Sequence, residues 1–598
     1  MGGCYLPGVR TPILLYLVAL AVRGGLIAAF PDPAYPDSSY YVDVARSLAA
    51  GHGFTTDVIW IFAEVGNRLP ANPTLPIPSN GHWLPLASLV QVPFIWLLGP
   101  TAFASTLPSA LLGSLAAPLT WLIARDAGSR PTVALGAGLL AAAPAAGAVF
   151  MAQPENLAIL LPLVAATLWM VGRGLKGSGR SFALAGLLAG LAALARNDGV
   201  LLAGAIGLIW LGDRIRWLRR RSGSRAWVVA EVRPPIAIWA AVAAAMLFLL
   251  AIGPWWARQL TVFGSISPTA ASGAALWIRS IDEWDSITAQ PSLDRFLAQG
   301  LGTILASRLL GLGQALLIFS VVACSLVLVP PLLVGIVARR RSPDFVPWLA
   351  YAPVVVLGAA LLYPAHIPGG ALVHSAIGLV PHTYILALEG VAALAGALAL
   401  GRGRARASGP TGDGAGLVGP GGGDGGGTAG GRDGLPIRLF VGVAVAFTLG
   451  TAFLYAGPVI AGWDRVRAPR VALAAELDQR GVPADDRIMS LDAAGLKYWT
   501  GRPGVVTPND PIDTIQAVAR AYGIRWLVLE AGPAESDGPV AALRPILRGE
   551  TRPSWVGAAA WSYGVGPAGG ATGGTAGGTR ALVLFPVCTT IADTRCAP

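Results

Sequence analysis

The run Thr11–Phe30, TPILLYLVALAVRGGLIAAF, decides the class of this fold. It carries one charged residue, Arg23, and matches the roughly 20 residues that an α-helix needs to cross a bilayer core. Similar runs recur at about 84–99, 103–125, 132–150, 155–172, 181–212, 236–253, 309–337, 345–363, 373–400 and 436–457. These runs are rich in Leu, Ala and Val and do not alternate with polar residues, so they predict helices rather than barrel strands.

The composition agrees with an α-helical membrane protein. Of the 598 residues, 54% are hydrophobic and only 13% are charged, whereas a soluble domain has about 25% charged residues. The net charge of +11 would suit a nucleic-acid-binding protein. However, the basic residues lie in short loops between apolar runs, where membrane topology explains them. We therefore expect membrane lipids, and no nucleic acid, as partners.

The number of spans depends on how the longest runs are divided. Segment 181–212 is too long for one ordinary span and is interrupted by Arg196-Asn197-Asp198. We predict that it forms either one span or two short helices, in which case another segment is re-entrant. The total is then about 11–13 transmembrane helices.

Lys and Arg residues set the predicted orientation, because cytoplasmic loops are enriched in them. Arg residues cluster in loop 213–235, at Arg339-Arg340-Arg341 and in 401–435. Placing these three clusters inside puts the polar stretches 31–83 and 254–308 outside. We predict a multi-pass protein of the plasma membrane, with these two loops and everything after 458 facing outward.

The region after residue 400 changes character. Residues 401–435 are dominated by Gly, which predicts a disordered cytoplasmic linker, and 436–457 forms the last span. In 462–598, helical and strand-like signals alternate, which predicts a small extracytoplasmic α/β domain. Cys588 and Cys596 lie close enough in sequence to form a disulfide if this end is exported. The four cysteines show no metal-ligand spacing, and we predict no metal or cofactor.

The first polar stretch contains an amphipathic helix. In PDSSYYVDVARSLAAGHGF, residues 36–54, Tyr40, Val44 and Leu48 fall on one helical face and Gly51 suits its C-terminal end. Asp37 or Ser38 is the expected N-cap, so capping alone accounts for an acidic residue at this position.

This stretch resembles the first outer loop of GT-C-type glycosyltransferases, such as protein O-mannosyltransferases and the lipid A aminoarabinose transferase. The shared features are an acidic residue beyond the first span, Tyr-Tyr, Ala-Arg-x-Leu and Gly-His-Gly-Phe. Further similar motifs are His82-Trp-Leu-Pro-Leu86, Gly186–Gly199 with Arg196, and Pro254-Trp-Trp-Ala-Arg258-Gln259 before Phe263-Gly264. Leu84 and Gln259 depart from the family pattern, which has Pro and Asn there. The resemblance covers residues 1–400.

The resemblance implies an enzyme that takes a hexosyl or pentosyl group from a polyprenyl-phosphate donor. The acceptor would be a hydroxyl of a glycan, lipid or protein of the cell envelope, attacked in one inverting displacement. The reaction needs a base for that hydroxyl and positive charge for the leaving phosphate. Asp37 is the expected catalytic base, and Arg258 and His374 are the expected donor-phosphate contacts. Tyr40, His82 and Glu155 are further candidates for lining the site.

Other interpretations stay open at this stage. Arg258 at a membrane boundary often only anchors a helix in the headgroups, and His374 may be an ordinary bundle residue. A transporter or flippase of lipid-linked sugars is the alternative function. It usually shows inverted repeats and charges at mid-membrane, whereas ionisable residues here cluster at the ends of the spans. An inactive scaffold of an envelope complex is a third interpretation.

Overall fold

A computed structural model of the chain describes residues 10–60, 64–222, 233–265, 276–362, 370–407, 434–531, 540–564 and 581–588. Within these residues, seven helices are long and apolar enough to cross a membrane: Arg10–Ala29, Ala102–Asp126, Leu157–Leu175, Ile238–Phe263, Leu301–Val322, Val380–Leu398 and Leu435–Gln479. Shorter apolar helices accompany them at Leu86–Leu98, Pro131–Ala142, Gly179–Ala195, Val329–Arg339 and Val346–Leu362. The predicted fold class, a polytopic helical membrane protein with a small C-terminal α/β domain, is confirmed.

The elements follow one another along the described chain in two sets. The helices are α1 (Arg10–Ala29), α2 (Pro36–Ala49), α3 (Leu86–Leu89), α4 (Val92–Leu98), α5 (Ala102–Ser114), α6 (Ala116–Asp126), α7 (Pro131–Ala142), α8 (Leu157–Leu175), α9 (Gly179–Ala195), α10 (Val200–Ser222), α11 (Ile238–Phe263), α12 (Leu293–Leu297), α13 (Leu301–Val322), α14 (Val329–Arg339), α15 (Val346–Leu362), α16 (Gly370–Ile377), α17 (Val380–Ala407), α18 (Leu435–Gln479), α19 (Ala493–Thr500), α20 (Ile512–Ala521) and α21 (Arg544–Leu547). The strands are β1 (Thr55–Thr56), β2 (Val58–Ile59), β3 (Ile77–Pro78), β4 (Arg487–Ser490), β5 (Gly504–Val506), β6 (Ile524–Ala531), β7 (Trp561–Tyr563) and β8 (Ala581–Pro586).

Several predicted runs are divided differently in the structure. Run 181–212 forms two helices, α9 and α10, and the break falls at Arg196, whose backbone is extended. Run 309–337 is also split, into α13 and α14. Helix α11 does not stop at Pro254 but continues to Phe263, so Arg258 lies on its last turns rather than in a loop. Most of the predicted Gly-rich linker, 408–433, lies outside the described residues.

Glycines allow the closest helix contacts in the bundle. A Cβ added to Gly186 of α9 would lie 1.9 Å from the carbonyl oxygen of Ala244 in α11. At Gly390 of α17, an added Cβ would lie 1.8 Å from the carbonyl oxygen of Pro331 in α14. Backbones that approach this closely are typical of membrane helices, where packing rather than hydrophobic burial drives association.

The C-terminal domain is built on a six-stranded mixed sheet of order β2-β5-β4-β6-β8-β7. Strands β2, β5, β4 and β6 are parallel, and β8 and β7 add antiparallel. Helix α18 continues from the membrane region and packs Leu473 and Leu477 on one sheet face. Helix α20 packs Ile515 and Val518 on the other face. The edge strand β2 comes from the first polar loop, a pairing that sequence analysis did not predict.

The long polar segments and the C-terminal domain meet on one side of the bundle. In the first loop, Asp57 forms an ion pair of 2.5 Å with Lys497. In the second, Ser286 donates a hydrogen bond of 2.7 Å to Asp510. These contacts join both loops to the domain, so the candidate site is built from segments far apart in sequence.

Candidate active site

Helix α2 carries the predicted base into a protected position. Its N-cap is Tyr35, and Pro36 is its first residue, so Asp37 is not the N-cap and the capping interpretation is wrong. The Ser38 hydroxyl instead donates to the carbonyl oxygen of Tyr35, at 2.8 Å. The Asp37 carboxylate accepts a hydrogen bond of 3.0 Å from Nε1 of Trp83.

The surroundings of Asp37 make it a stronger base than an ordinary aspartate. Burial raises its pKa, whereas the Trp83 hydrogen bond and the positive charge of Arg196 lower it. The negative charge of Asp492, from the C-terminal domain, raises it further. The net effect is a raised pKa, because desolvation disfavours the charged form.

Glu155 lies beside this aspartate, just before α8. Its side chain is completely buried, and Nδ1 of His374 lies 3.9 Å from Oε1. No described residue donates a hydrogen bond to either carboxylate oxygen. Burial, followed by the charge of Asp37, raises the pKa of Glu155 to about 8. Near neutral pH the two acids therefore carry about one negative charge between them.

Arg196 is the functional candidate that sequence analysis left out of the site. It stands at the break between α9 and α10 and forms an ion pair of 2.9 Å with Asp198. Its charge acts on Asp37, on Glu155 and on His374. The signal was present in the sequence, because Arg196 interrupts an apolar run and ends a motif of the family.

His374 is placed next to Glu155 by helix α16. Burial first, and then the charge of Arg196, lowers the pKa of His374 to about 3. The imidazole is therefore neutral at physiological pH. It can offer one hydrogen bond to a phosphate, but no positive charge.

Aromatic side chains form the wall behind Asp37. The rings of Tyr40 and Trp83 lie 4.3 Å apart, and those of His82 and Trp83 lie 5.2 Å apart. The Tyr40 hydroxyl donates to the buried carboxylate of Glu64 and accepts from the backbone of Asn80, at 2.7 Å. Burial raises the pKa of Glu64 to about 7. Tyr40 and His82 thus support the indole that holds Asp37.

Arg258 lies on the other side of this wall. Its Nη2 donates to the carbonyl oxygens of Phe54 and Ser79, at 3.2 and 3.0 Å. The guanidinium also stacks on the rings of Phe54 and Trp255. Nη1 has no hydrogen-bond partner among the described residues. Arg258 therefore fastens the first loop, and its role toward a donor phosphate stays a prediction.

The residue that departs from the family motif also fastens this loop. Gln259 is fully buried, and its Nε2 donates a hydrogen bond of 2.9 Å to the carbonyl oxygen of Asn80. In the part of the chain that the structure describes, no group of three or more His, Cys, Asp and Glu side chains is placed to hold a metal ion.

Taken together, the site pairs a strong base with positive charge in a buried pocket. Asp37, Glu155, Arg196 and His374 come from four separate segments: α2, the turn before α8, the α9–α10 break and α16. Such a pocket can remove a proton from a hydroxyl and stabilise an anionic leaving group.

The comparisons with known proteins agree with this arrangement. Residues 82–239 match the family model described as dolichyl-phosphate-mannose-protein mannosyltransferase. ArnT from Cupriavidus metallidurans, in a crystal structure bound to undecaprenyl phosphate, is 15% identical over 97% of this chain and 98% of that chain, with a TM-score of 0.52. The same enzyme in the apo state gives 14% identity over 96% and 97%, also with a TM-score of 0.52. No curated protein matches the chain.

These similarities bear on the fold and the family in different ways. At this level of identity, ArnT shows that the fold is shared over nearly the whole length of both chains. The family model adds a match to a stretch that includes His82, Glu155 and Arg196. The resemblance predicted from the loop motifs is therefore confirmed: in its family match and in its fold, the chain is a relative of the GT-C-type membrane glycosyltransferases.

Proposed function

We propose that this protein transfers a sugar from a polyprenyl-phosphate donor to an acceptor hydroxyl on the outer side of the membrane. The observation that carries the proposal is the buried cluster of Asp37, with its raised pKa, and the cation Arg196. The ArnT structure was solved with undecaprenyl phosphate, and a ligand of this class suits a pocket that combines a base with positive charge.

The proposed chemistry is a single displacement at the anomeric carbon. Asp37 takes the proton of the acceptor hydroxyl as its oxygen forms the new glycosidic bond. The bond between the anomeric carbon and the phosphate oxygen breaks, and polyprenyl phosphate leaves with the bonding electrons. Because attack and departure occur on opposite faces of the sugar, the anomeric configuration is inverted.

The leaving phosphate needs donors that do not compete with the base. Arg196 offers positive charge close to Asp37, and neutral His374 offers a hydrogen bond. Arg258 has a free Nη1 but spends Nη2 on the first loop. We therefore propose that Arg196 contributes more to phosphate binding than Arg258. Protonated Glu155 keeps a second negative charge away from the phosphate.

The orientation of the site follows from the basic clusters. Arg339 donates to Glu389 and to the carbonyl oxygen of Ala127, at bundle ends opposite the polar loops. We propose that these ends face the cytoplasm of a plasma-membrane protein and that the C-terminal domain faces outward. A reporter active only outside the membrane should then work when fused after Pro598 and stay silent within 413–430.

The enzymatic proposal is tested with the purified protein in lipid vesicles. The protein is incubated with a panel of polyprenyl-phosphate hexoses and pentoses, and release of free polyprenyl phosphate is measured. At least one donor should be consumed by the wild type and not by Asp37→Asn. If donors instead cross the bilayer intact, at equal rates in both proteins, the chain is a transporter and the proposal is wrong.

A further inference from the structure

A buried ion triad lies where α18 meets the C-terminal sheet. Nη1 of Arg470 lies 2.6 Å from Oδ2 of Asp492, and Nη2 lies 3.1 Å from Oε1 of Glu530. The three residues are 6%, 8% and 8% exposed. A paired charge in such surroundings keeps a fixed position, because breaking the pair would leave a buried charge uncompensated.

Asp492 is held at both carboxylate oxygens. While Oδ2 binds Arg470, Oδ1 accepts a hydrogen bond of 2.8 Å from the backbone N–H of Gly495, and Asp492 thereby caps α19. A Cβ at Gly495 would lie 2.3 Å from both Nη1 of Arg470 and Oδ2 of Asp492. Glycine at this position therefore leaves the space that the ion pair occupies.

The capped helix is packed on the catalytic one. Helix α19 contacts α2, which carries Asp37, and it also contacts α18. Asp57 on Lys497 and Tyr498 on Asp32, at 3.0 Å, fasten α19 to the first loop. The N-terminal end of α19, with its fixed carboxylate, is thereby presented to the active site.

We propose that Asp492 is a positioning residue of the reaction: its carboxylate, fixed by Arg470, acts through space on Asp37, so the outer domain forms part of the active site. The inference rests on the proposed function. It assigns the C-terminal domain a role in the strength of the base, which sequence analysis did not foresee.

The electrostatic sign of this effect is defined by the groups around Asp37. The neighbouring ionisable groups are Tyr35 and Tyr41 near α2, Glu155 before α8, Arg196 at the α9–α10 break and Asp492 at the start of α19. Arg196 lowers the pKa of Asp37, and Asp492 raises it. Removing the negative charge of Asp492 should therefore lower that pKa and make Asp37 a weaker base that stays ionised at lower pH.

The test compares Asp492→Asn with Glu530→Gln in the full-length protein. Asn caps a helix about as well as Asp, so the first variant removes the charge and keeps the cap. Glu530→Gln is the matched control, since it also removes a buried partner of Arg470, but Glu530 is not among the charges that act on Asp37. If Asp492→Asn fails to fold, Asp492→Ser, another good cap, takes its place.

Two measurements separate this inference from the proposed function. The first is the pH profile of donor turnover. The second needs no activity: it follows the fluorine NMR shift of 5-fluorotryptophan at Trp83, assigned by its loss in Trp83→Phe. The indole of Trp83 donates to Asp37, so its shift should follow the protonation of that carboxyl and should stop titrating in Asp37→Asn.

In Asp492→Asn, both midpoints should move to lower pH. At a pH below the wild-type midpoint, the variant should keep at least about twice the wild-type fraction of its plateau rate, because one pKa unit corresponds to about 1.36 kcal/mol, or tenfold. Glu530→Gln should leave both midpoints in place. Unmoved midpoints in Asp492→Asn, or equal shifts in both variants, would overturn the inference. A wild type that turns over no donor yet shows the fluorine shift would refute only the enzymatic proposal.

Discussion

Replacement of Asp37 by Asn is the most direct test of the proposed chemistry. Asn keeps an oxygen that can accept the hydrogen bond from Trp83, but an amide cannot take a proton from the acceptor. A correctly placed general base contributes about 10²–10⁴-fold to a rate, so we expect a loss of about this size in sugar transfer. Binding of the donor should change little.

The structure also predicts that this variant is no less stable than the wild type. The pKa of Asp37 is raised in the folded protein, mainly by burial. An acid of this kind favours folding when protonated, and its contribution is lost as the pH rises above its unfolded pKa. A neutral amide removes that cost, so the thermal midpoint of Asp37→Asn at neutral pH should equal or exceed that of the wild type. Lost activity together with lost stability would point to a structural role instead.

The two other acids of the first loop serve as matched controls. Asp32 accepts a hydrogen bond from Tyr498 and lies 3.5 Å from Arg467. Asp43 accepts from Thr56, at 3.0 Å. Both are engaged in structural contacts, so their Asn variants should transfer sugar much faster than Asp37→Asn. The assay is the release of polyprenyl phosphate over a pH series. Near wild-type turnover by Asp37→Asn would refute the assignment of the base.

The remaining predictions address the cations, the second acid and the bundle. Arg196→Gln should lower donor turnover more than Arg258→Gln, and Arg196→Lys should recover part of it, because charge returns without the planar fork; an equal effect at both positions would contradict the assignment. Glu155→Gln should keep turnover at neutral pH, where Glu155 is largely protonated, and should remove the decline expected as the wild-type acid ionises near pH 8; an unchanged alkaline limb would exclude Glu155 as its source. Gly390→Ala should lower the thermal midpoint, because its Cβ would strike the backbone of α14, at a cost of about 1–3 kcal/mol or more. Gly396→Ala in the same helix meets nothing within 4 Å and should not.

Local patterns predicted the fold class and part of the site. The spacing of Tyr40, Val44 and Leu48 predicted α2, and all three pack inward on its buried side. Arg196 was visible as an interruption of an apolar run, which correctly allowed two helices there. Its place beside Asp37 was not predictable, because that proximity depends on how α9 and α10 pack against distant segments.

Non-local pairing explains what the sequence concealed. Strand β2 has two residues, Val58 and Ile59, too few for any periodic signal, and its partner β5 lies more than four hundred residues later. The Arg470–Asp492–Glu530 triad likewise joins positions whose charges look like ordinary surface residues. Arg258 shows the opposite limit: the family motif drew attention to it, but only the structure shows that it binds the backbone of the first loop.

The borrowed edge strand has a practical consequence for anyone who wishes to cut this protein into pieces. Helix α18 has 45 residues and runs without interruption from the membrane region into the sheet, so no hinge marks a natural place to divide the chain. An isolated C-terminal fragment would lack β2 and expose the hydrogen-bonding edge of β5, and open edges of this kind invite strand pairing between copies. The truncated remainder would leave Val58 and Ile59 without their sheet partner. Aggregation of the fragment and inactivity of the remainder would therefore report a broken sheet rather than the absence of a separate function.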